Sequence, residues 1–199
     1  MTLQYLWSLY TQPVSTWQRI QSRQDGLVNS AIHALLIALI PAVCAYVSAV
    51  NIGWSIGAGE TIKLTHDSAL LLSSAMYAAT IFGIAALSSL VHWMAQTFGA
   101  SPTRTKAFEL SAYTATPLLM AGVAALYPEL WFVTLAGLSG LAYSIYLLYT
   151  GIPVLMQIPD ERGFVYASSV VTCGLVLLVS ILAATAIFWS SGLAPVYTH

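Results

Sequence analysis

Eight residues stand out by type and spacing in a chain otherwise poor in polar groups: His33, His92, Glu109, Tyr113, Thr116, Pro117, Gly151 and Pro153. A neutral imidazole can bind a transition metal or relay a proton. His33 and His92 fall at the same-side ends of two successive uncharged stretches, so their rings are expected at similar depth. No HxxxH, ExxH or Cys/His cluster accompanies them, and a four-coordinate metal site needs more ligands. Histidines seated at an interface or held by hydrogen bonds account for the same pattern more simply. No metal or other cofactor is expected.

Glu109 follows Arg104 and Lys106. Residues three apart share a helix face, so Lys106 and Glu109 can pair. A carboxylate near a helix N-terminus is also favoured by the helix dipole. Anchoring explains Glu109 well; a contact with an ion or partner is the sharper alternative. In Tyr113-Thr114-Ala115-Thr116-Pro117 the proline removes a backbone donor and frees the carbonyl of Tyr113. Thr114 or Thr116 is placed to satisfy the disturbed backbone, and a kink is predicted. Gly151 is predicted to end a helix and Pro153 to forbid its continuation. That would leave Ile152–Ile158 as an interfacial or re-entrant segment, followed by a solvated turn at Asp160-Glu161-Arg162. No spacing assembles a Ser/His/Asp set, a carboxylate pair or a phosphate loop. No catalytic residue is assigned and no enzymatic activity is expected.

The elements that must position these residues follow from charge. Six basic and seven acidic residues cluster at Arg19/Arg23/Asp25, Glu60/Lys63/Asp67, Arg104/Lys106/Glu109, Glu129 and Asp160/Glu161/Arg162. The intervals 26–59, 68–103, 110–128, 130–159 and 163–199 carry no formal charge. A helix crosses the hydrocarbon core with about 20 apolar residues, and a central charge costs about 3 kcal/mol. The chain is 58% hydrophobic and 7% charged, against about 25% charged in a soluble domain. A soluble domain is excluded, and the net charge of −1 offers nothing to nucleic acid.

The fold class is therefore all-α, a polytopic integral membrane protein with five transmembrane helices. The spans are about 31–50, 68–98, 110–127, 130–150 and 164–189. Alternating β-barrel segments are not seen. With the N-terminus inside, Arg19, Arg23, Arg104, Lys106 and Arg162 are cytoplasmic and only Lys63 is outside, which predicts N-in, C-out. Trp54, Tyr127, Trp131 and Trp189 fall at the outer ends, where amphipathic rings favour the interface. Tyr127-Pro128-Glu129 is a tight outer hairpin. Leu6, Tyr10, Val14 and Trp17 recur at helical spacing, predicting an N-terminal amphipathic interfacial helix, as one or two short helices with Pro13 opening the second. The chain divides into a cytoplasmic interfacial segment, 1–25, and a transmembrane domain, 26–199. No cleaved signal is expected. Cys44 and Cys173 are expected free and buried, and Gly137 and Gly140 to allow close helix packing.

Taken together, Ala112-Tyr113-Thr114-Ala115-Thr116-Pro117, Tyr149-Thr150-Gly151-Ile152-Pro153, Pro13…Trp17…Ile20 and Asp160-Glu161-Arg162-Gly163-Phe164 resemble the bacterial Yip1 family of small membrane proteins. The resemblance covers nearly the whole chain. It implies a five-helix integral membrane domain with a cytoplasmic N-terminus in the bacterial inner membrane. Eukaryotic relatives act in vesicle traffic with Rab-type GTPases and with one another. Their long cytoplasmic N-terminal region is not expected here, so Rab binding is not carried over. Some bacterial relatives associate with ABC-type exporters, which implies an accessory role beside such a partner. The family supplies no agreed catalytic residues. The expected function is that of a non-enzymatic inner-membrane protein working through contacts with proteins, the lipid bilayer or a second copy of itself. The alternative is a small transporter or channel for a cation or metal ion.

Overall fold

A computed structural model describes residues 4–23, 26–54, 61–190 and 197–198; Asp25, Glu60 and the side chains of Leu6 and Trp189 lie outside the described residues. Two short helices open the chain, α1 (Gln4–Thr11) and α2 (Pro13–Ser22). Pro13 sits in the first turn of α2, where its missing N–H costs nothing. Gln12, at φ −143° and ψ 67°, breaks the pair and turns the second helix away from the first. The four-residue apolar spacing therefore does not define one face: Leu9, Trp17 and Ile20 are buried, whereas Trp7, Tyr10 and Val14 are exposed.

Helix α3 (Gly26–Val47) runs on through a π-helical turn, Ser48–Ile52, to Gly53. Gly53 takes φ 77°, and a Cβ there would lie 2.6 Å from the carbonyl oxygen of Ile62. Only glycine fits both demands. A two-residue strand, β1 (Lys63–Leu64), pairs antiparallel with β2 (Tyr197–Thr198) near the end of the chain. This small β element was not foreseen. Helix α4 (His66–Met94) is capped by the hydroxyl of Thr65, which accepts from the Ser68 amide at 3.3 Å. It ends in a 3₁₀ turn at Ala95–Phe98 and a left-handed Gly99.

The next stretch is broken. It comprises α5 (Arg104–Thr114), α6 (Thr116–Met120) and a 3₁₀ run at Ala121–Leu126. Pro117 cannot donate to the ladder, and the hydroxyls of Thr114 and Thr116 bond the carbonyls of Leu110 (2.7 Å) and Ala112 (3.2 Å) rather than that of Tyr113. The freed amide of Leu118 finds Ser144 Oγ at 3.3 Å instead. A tight turn with Glu129 N–H on the Tyr127 carbonyl leads to α7 (Leu130–Met156).

Helix α7 corrects the expectation at Gly151 and Pro153. It does not end at Gly151, and Ile152–Met156 is not a separate re-entrant segment. Pro153 lies inside the helix, which stops only at Gln157, a left-handed residue at φ 55°. One missing N–H is tolerable within a single turn of the end, where the amide of Ile158 returns to the carbonyl of Pro153 at 3.2 Å. Helix α8 (Asp160–Ser190) starts earlier than expected. Asp160 and Glu161 form its first turn, a placement that its dipole favours.

The protein is thus an all-α membrane protein. Among the described residues, four helices are long and apolar enough to cross a bilayer: Leu27–Ile52, His66–Phe98, Leu130–Met156 and Asp160–Ser180. The third expected span is the broken Arg104–Leu126 stretch, in which no single helix reaches that length. Small residues set the close approaches. A Cβ on Gly140 would meet the Pro117 carbonyl at 2.9 Å, and one on Gly122 would meet Pro41 Cβ at 2.5 Å, whereas Gly137 faces open space. Cys44 and Cys173 are free, and half-buried rather than buried.

The main buried cluster is not spread along the bundle. Leu9, Trp17, Ile20, Val91, Leu110, Leu147, Leu155 and Tyr166 gather where α5 and α8 begin and α4 and α7 finish, against α1 and α2. Toward the opposite end the helices present Leu70, Phe82, Leu138 and Val176 outward. Apolar faces exposed at membrane depth are the expected state of a bilayer-solvated bundle.

Candidate functional site

The motif residues meet at that charged end, in two groups. The first is built around Trp17. Helix α2 presents Trp17 toward α7, and the ring enters a notch that exists because residue 151 has no side chain. A Cβ on Gly151 would lie 2.7 Å from Leu110 Cδ1 and 2.8 Å from Trp17 Cε2. The indole N–H donates to Thr150 Oγ1 at 3.2 Å, so the polar edge of a fully buried Trp17 is satisfied. Pro153 packs against Gly163, where a Cβ would lie 2.6 Å from Pro153 Cγ. Tyr149 bonds Ser168 across to α8 at 2.8 Å. The hydroxyl of Tyr143 donates to the carbonyls of Leu9 and Tyr10, both at 3.1 Å, and its ring stacks on Tyr10 at 5.1 Å.

Lys106 closes the group. Its ammonium donates to the carbonyls of Ile20 (2.6 Å) and Arg23 (2.9 Å), which lie at the C-terminal end of α2. A cation there satisfies orphan carbonyls and complements the helix dipole. The same ammonium lies 2.9 Å from Glu109 Oε2, as the three-residue spacing predicted. Burial pushes the Glu109 carboxyl pKa up, while Lys106 beside it, and then the charge of Arg23, oppose that rise.

The second group joins α3 to the α5–α6 break. His33 Nε2 lies 2.9 Å from Thr116 Oγ1, and its ring lies 4.6 Å from that of Tyr113. Thr116 Oγ1 also lies 3.2 Å from the Ala112 carbonyl, and which of His33 and Thr116 donates in their shared bond depends on the imidazole tautomer. His33 is 2% exposed, Tyr113 3% and Thr116 1%. Glu109, Tyr113 and Thr116 follow one another at helical spacing, so a single stripe carries both groups. Ser30, one turn before His33, is buried and its hydroxyl has no partner among the described residues. The sequence reading missed Ser30, although its spacing to His33 was available. It also missed Lys106 as the clamp on α2.

His92 stands apart. It is half-buried, its Nδ1 has no partner, and no contact joins it to His33 or Glu109 among the described residues. No three His, Cys, Asp or Glu residues gather to hold a metal ion among the described residues. The arrangement can hold helices together, clamp α2 and seat a buried polar stripe. A nucleophile paired with a base is not among its parts.

The Yip1 domain matches residues 7–181. The chain belongs to the Yip1 domain family. The Yip1 match begins inside α1 and ends inside α8, so Trp17 and the Gly151 notch both lie within it. The chain is 34% identical over 191 residues to the inner membrane protein YohC of Escherichia coli strain K12, covering 96% of this chain and 98% of that one. It is similar to the same degree to YohC of Escherichia coli O6:H1 strain CFT073. No solved structure matches it significantly.

Proposed function

We propose that this Yip1 domain is a non-enzymatic protein of the bacterial inner membrane. It acts through protein or lipid contacts at its cytoplasmic end, as an accessory to a membrane transport or export complex. The observation that carries the reading is the mutual use of the motif residues. Trp17 fills the Gly151 notch, Thr150 accepts the indole N–H, Gly163 receives Pro153 and Thr116 shares a hydrogen bond with His33. Groups that satisfy one another build a platform; they are not left free to react. Trp7, 76% exposed, and Val14 are presented by α1 and α2 beside that platform, as an interfacial helix pair would present them.

The topology within this reading is five crossings, N-in and C-out. The pairing of β1 with β2 supports it, because Leu64 and Tyr197 must then lie on one side. An even number of crossings has to separate them. Helices α4, α7 and α8 supply three, so the broken Arg104–Leu126 stretch supplies the fourth. Lys and Arg bias sets the direction.

Cross-linking in native membranes followed by capture of the tagged protein tests the function. A defined membrane partner or a self-complex is expected, and recovery of neither counts against it. A second reading, a small cation or metal transporter, is favoured by the buried Ser30 hydroxyl, which has no hydrogen-bond partner among the described residues. Flux in proteoliposomes that is lost in His33→Ala/His92→Ala would establish that alternative. No flux, with unchanged ion binding in the pair, removes it.

A further inference from the structure

Two openings lie in line along the seam between α4 and α8. The first, about 520 Å³, sits at the charged end, bounded by Gln96–Gly99 of the 3₁₀ turn and by Glu161, Arg162 and Val165 of α8. The second, about 440 Å³, lies deeper, between Gly83 and Leu87 of α4 and Val171 and Gly174 of α8. Thr114, Ala115 and Leu118 of the α5–α6 break form part of its wall. Between the two, Tyr166 stacks on Phe98 at 4.7 Å and its hydroxyl bonds the Val91 carbonyl, which braces the seam from behind.

The two openings differ in chemistry in the order a lipid does. Arg162 has no hydrogen bond or ion pair among the described residues, although its guanidinium reaches the first opening beside Gly99. Gln96 and Thr97 add donors there. The deeper groove is lined almost wholly by aliphatic side chains and opens between two membrane-crossing helices. From Val165 to Gly174 is nine residues of helix, roughly 13 Å. The interfacial layer is about 5–7 Å deep on each side. The groove thus begins in hydrocarbon while the guanidinium stays at headgroup level. Water cannot fill an apolar groove at that depth, so a chain must. An unpaired guanidinium at its mouth favours a phosphate whose headgroup carries no cation of its own, that is, a net anionic lipid.

We propose that the α4–α8 seam holds one anionic phospholipid of the cytoplasmic leaflet. Its phosphate lies against Arg162, Gln96 and Thr97, and one acyl chain lies in the groove toward Gly83 and Gly174. The inference rests on the lipid-contact half of the proposed function. Glu161 at the mouth carries the opposing charge and weakens the site.

The test is native mass spectrometry of the detergent-purified full chain, titrated with phosphatidylglycerol or phosphatidylcholine of identical acyl chains. One phosphatidylglycerol per chain is expected, retained about tenfold better than phosphatidylcholine. Arg162→Gln removes the preference, Arg162→Lys keeps most of it, and Glu161→Gln increases it. Gly174→Leu fills the groove and lowers retention of both lipids. A Cβ at Gly174 meets nothing within 4 Å, so this variant should fold; Gly83→Leu fills the groove from the opposite wall with the same clearance. Equal retention of the two lipids, or retention unchanged in both Arg162→Gln and the groove variants, overturns the proposal. So does displacement of the headgroup preference by millimolar inorganic phosphate with chain retention intact. Conversion of a dimer to a monomer by Gly174→Leu would place a second copy in the groove and also overturn it. A partner captured by cross-linking, with no lipid preference, sinks this site and leaves the proposed function standing.

Discussion

Lys106 holds together groups that would otherwise be costly to bury. Its ammonium serves two carbonyls at the end of α2 and the carboxylate of Glu109, which is only 2% exposed. Removing one partner of a buried pair typically costs about 3–5 kcal/mol, since the other charge is stranded. Burial already raises the Glu109 pKa above the ordinary carboxylate value, with Lys106 opposing. A folded state that binds a proton more tightly than the unfolded state is most stable below the unfolded pKa. It loses that stability as pH rises through the folded pKa. Lys106→Met removes the opposing charge, so its melting temperature in detergent should fall more steeply with rising pH than that of the wild type. The added Glu109→Gln change should abolish the extra slope; a slope that survives it assigns the effect elsewhere. Gly151 makes a second residue-scale prediction. Valine there would drive into Trp17 and Leu110, an overpacking cost of about 1–3 kcal/mol. Displacement of α2 should then expose Arg19 and Arg23 to trypsin well before the rest of the chain is cut. Cleavage at the wild-type rate would show that the notch is not what seats α2.

Elements divide into those that charge spacing reveals and those that local packing decides. The long helices were legible because a charge in hydrocarbon is excluded, so the uncharged intervals delimit them. The Lys106–Glu109 pair and the break at Pro117 were legible because each is local to one or two turns. The bounds of α7 and α8 were not. Gly151 and Pro153 read as stop signals, yet the glycine receives Trp17 from residues far away in sequence, and a proline near a helix end removes only one bond. The face of α1 and α2 was misread for a similar reason: the turn at Gln12 resets the helical phase. The convergence of His33 with Tyr113 and Thr116 was also hidden, because no spacing reports a contact between helices 83 residues apart. Gly137 and Gly140 looked alike in sequence and differ in the fold. Gly140→Val should meet the Pro117 carbonyl and lower stability by about 1–3 kcal/mol, whereas Gly137→Val, facing open space, should be within about 0.5 kcal/mol of wild type. Thermal unfolding of the two variants in the same detergent checks this; equal shifts would mean that α6 does not pack on α7 as described.

The whole molecule is asymmetric along its long direction. The buried cluster, the clamp on α2 and most basic residues gather at one end, while the other end is tied by the two-residue pairing of β1 and β2. That pairing constrains topology more strongly than its size suggests. If Leu64 and Tyr197 share a side, the chain between them crosses an even number of times. The broken Arg104–Leu126 stretch must then traverse the bilayer despite its interruption, its freed amide at Leu118 satisfied by Ser144 of α7. Non-helical backbone at membrane depth is tolerated only where protein covers it, and α7 and Pro41 of α3 supply that cover through Gly140 and Gly122. Single cysteines in a background with Cys44 and Cys173 replaced decide the matter. Ser101→Cys precedes the stretch and Tyr127→Cys follows it, and both positions are exposed. In intact cells a membrane-impermeant maleimide should label Tyr127→Cys and Thr198→Cys, and should reach Ser22→Cys and Ser101→Cys only after the inner membrane is opened. Labelling of Ser101→Cys and Tyr127→Cys from the same side would make the stretch a re-entrant hairpin. The crossings between Leu64 and Tyr197 would then be odd, and the pairing of β1 with β2 could not form in the membrane.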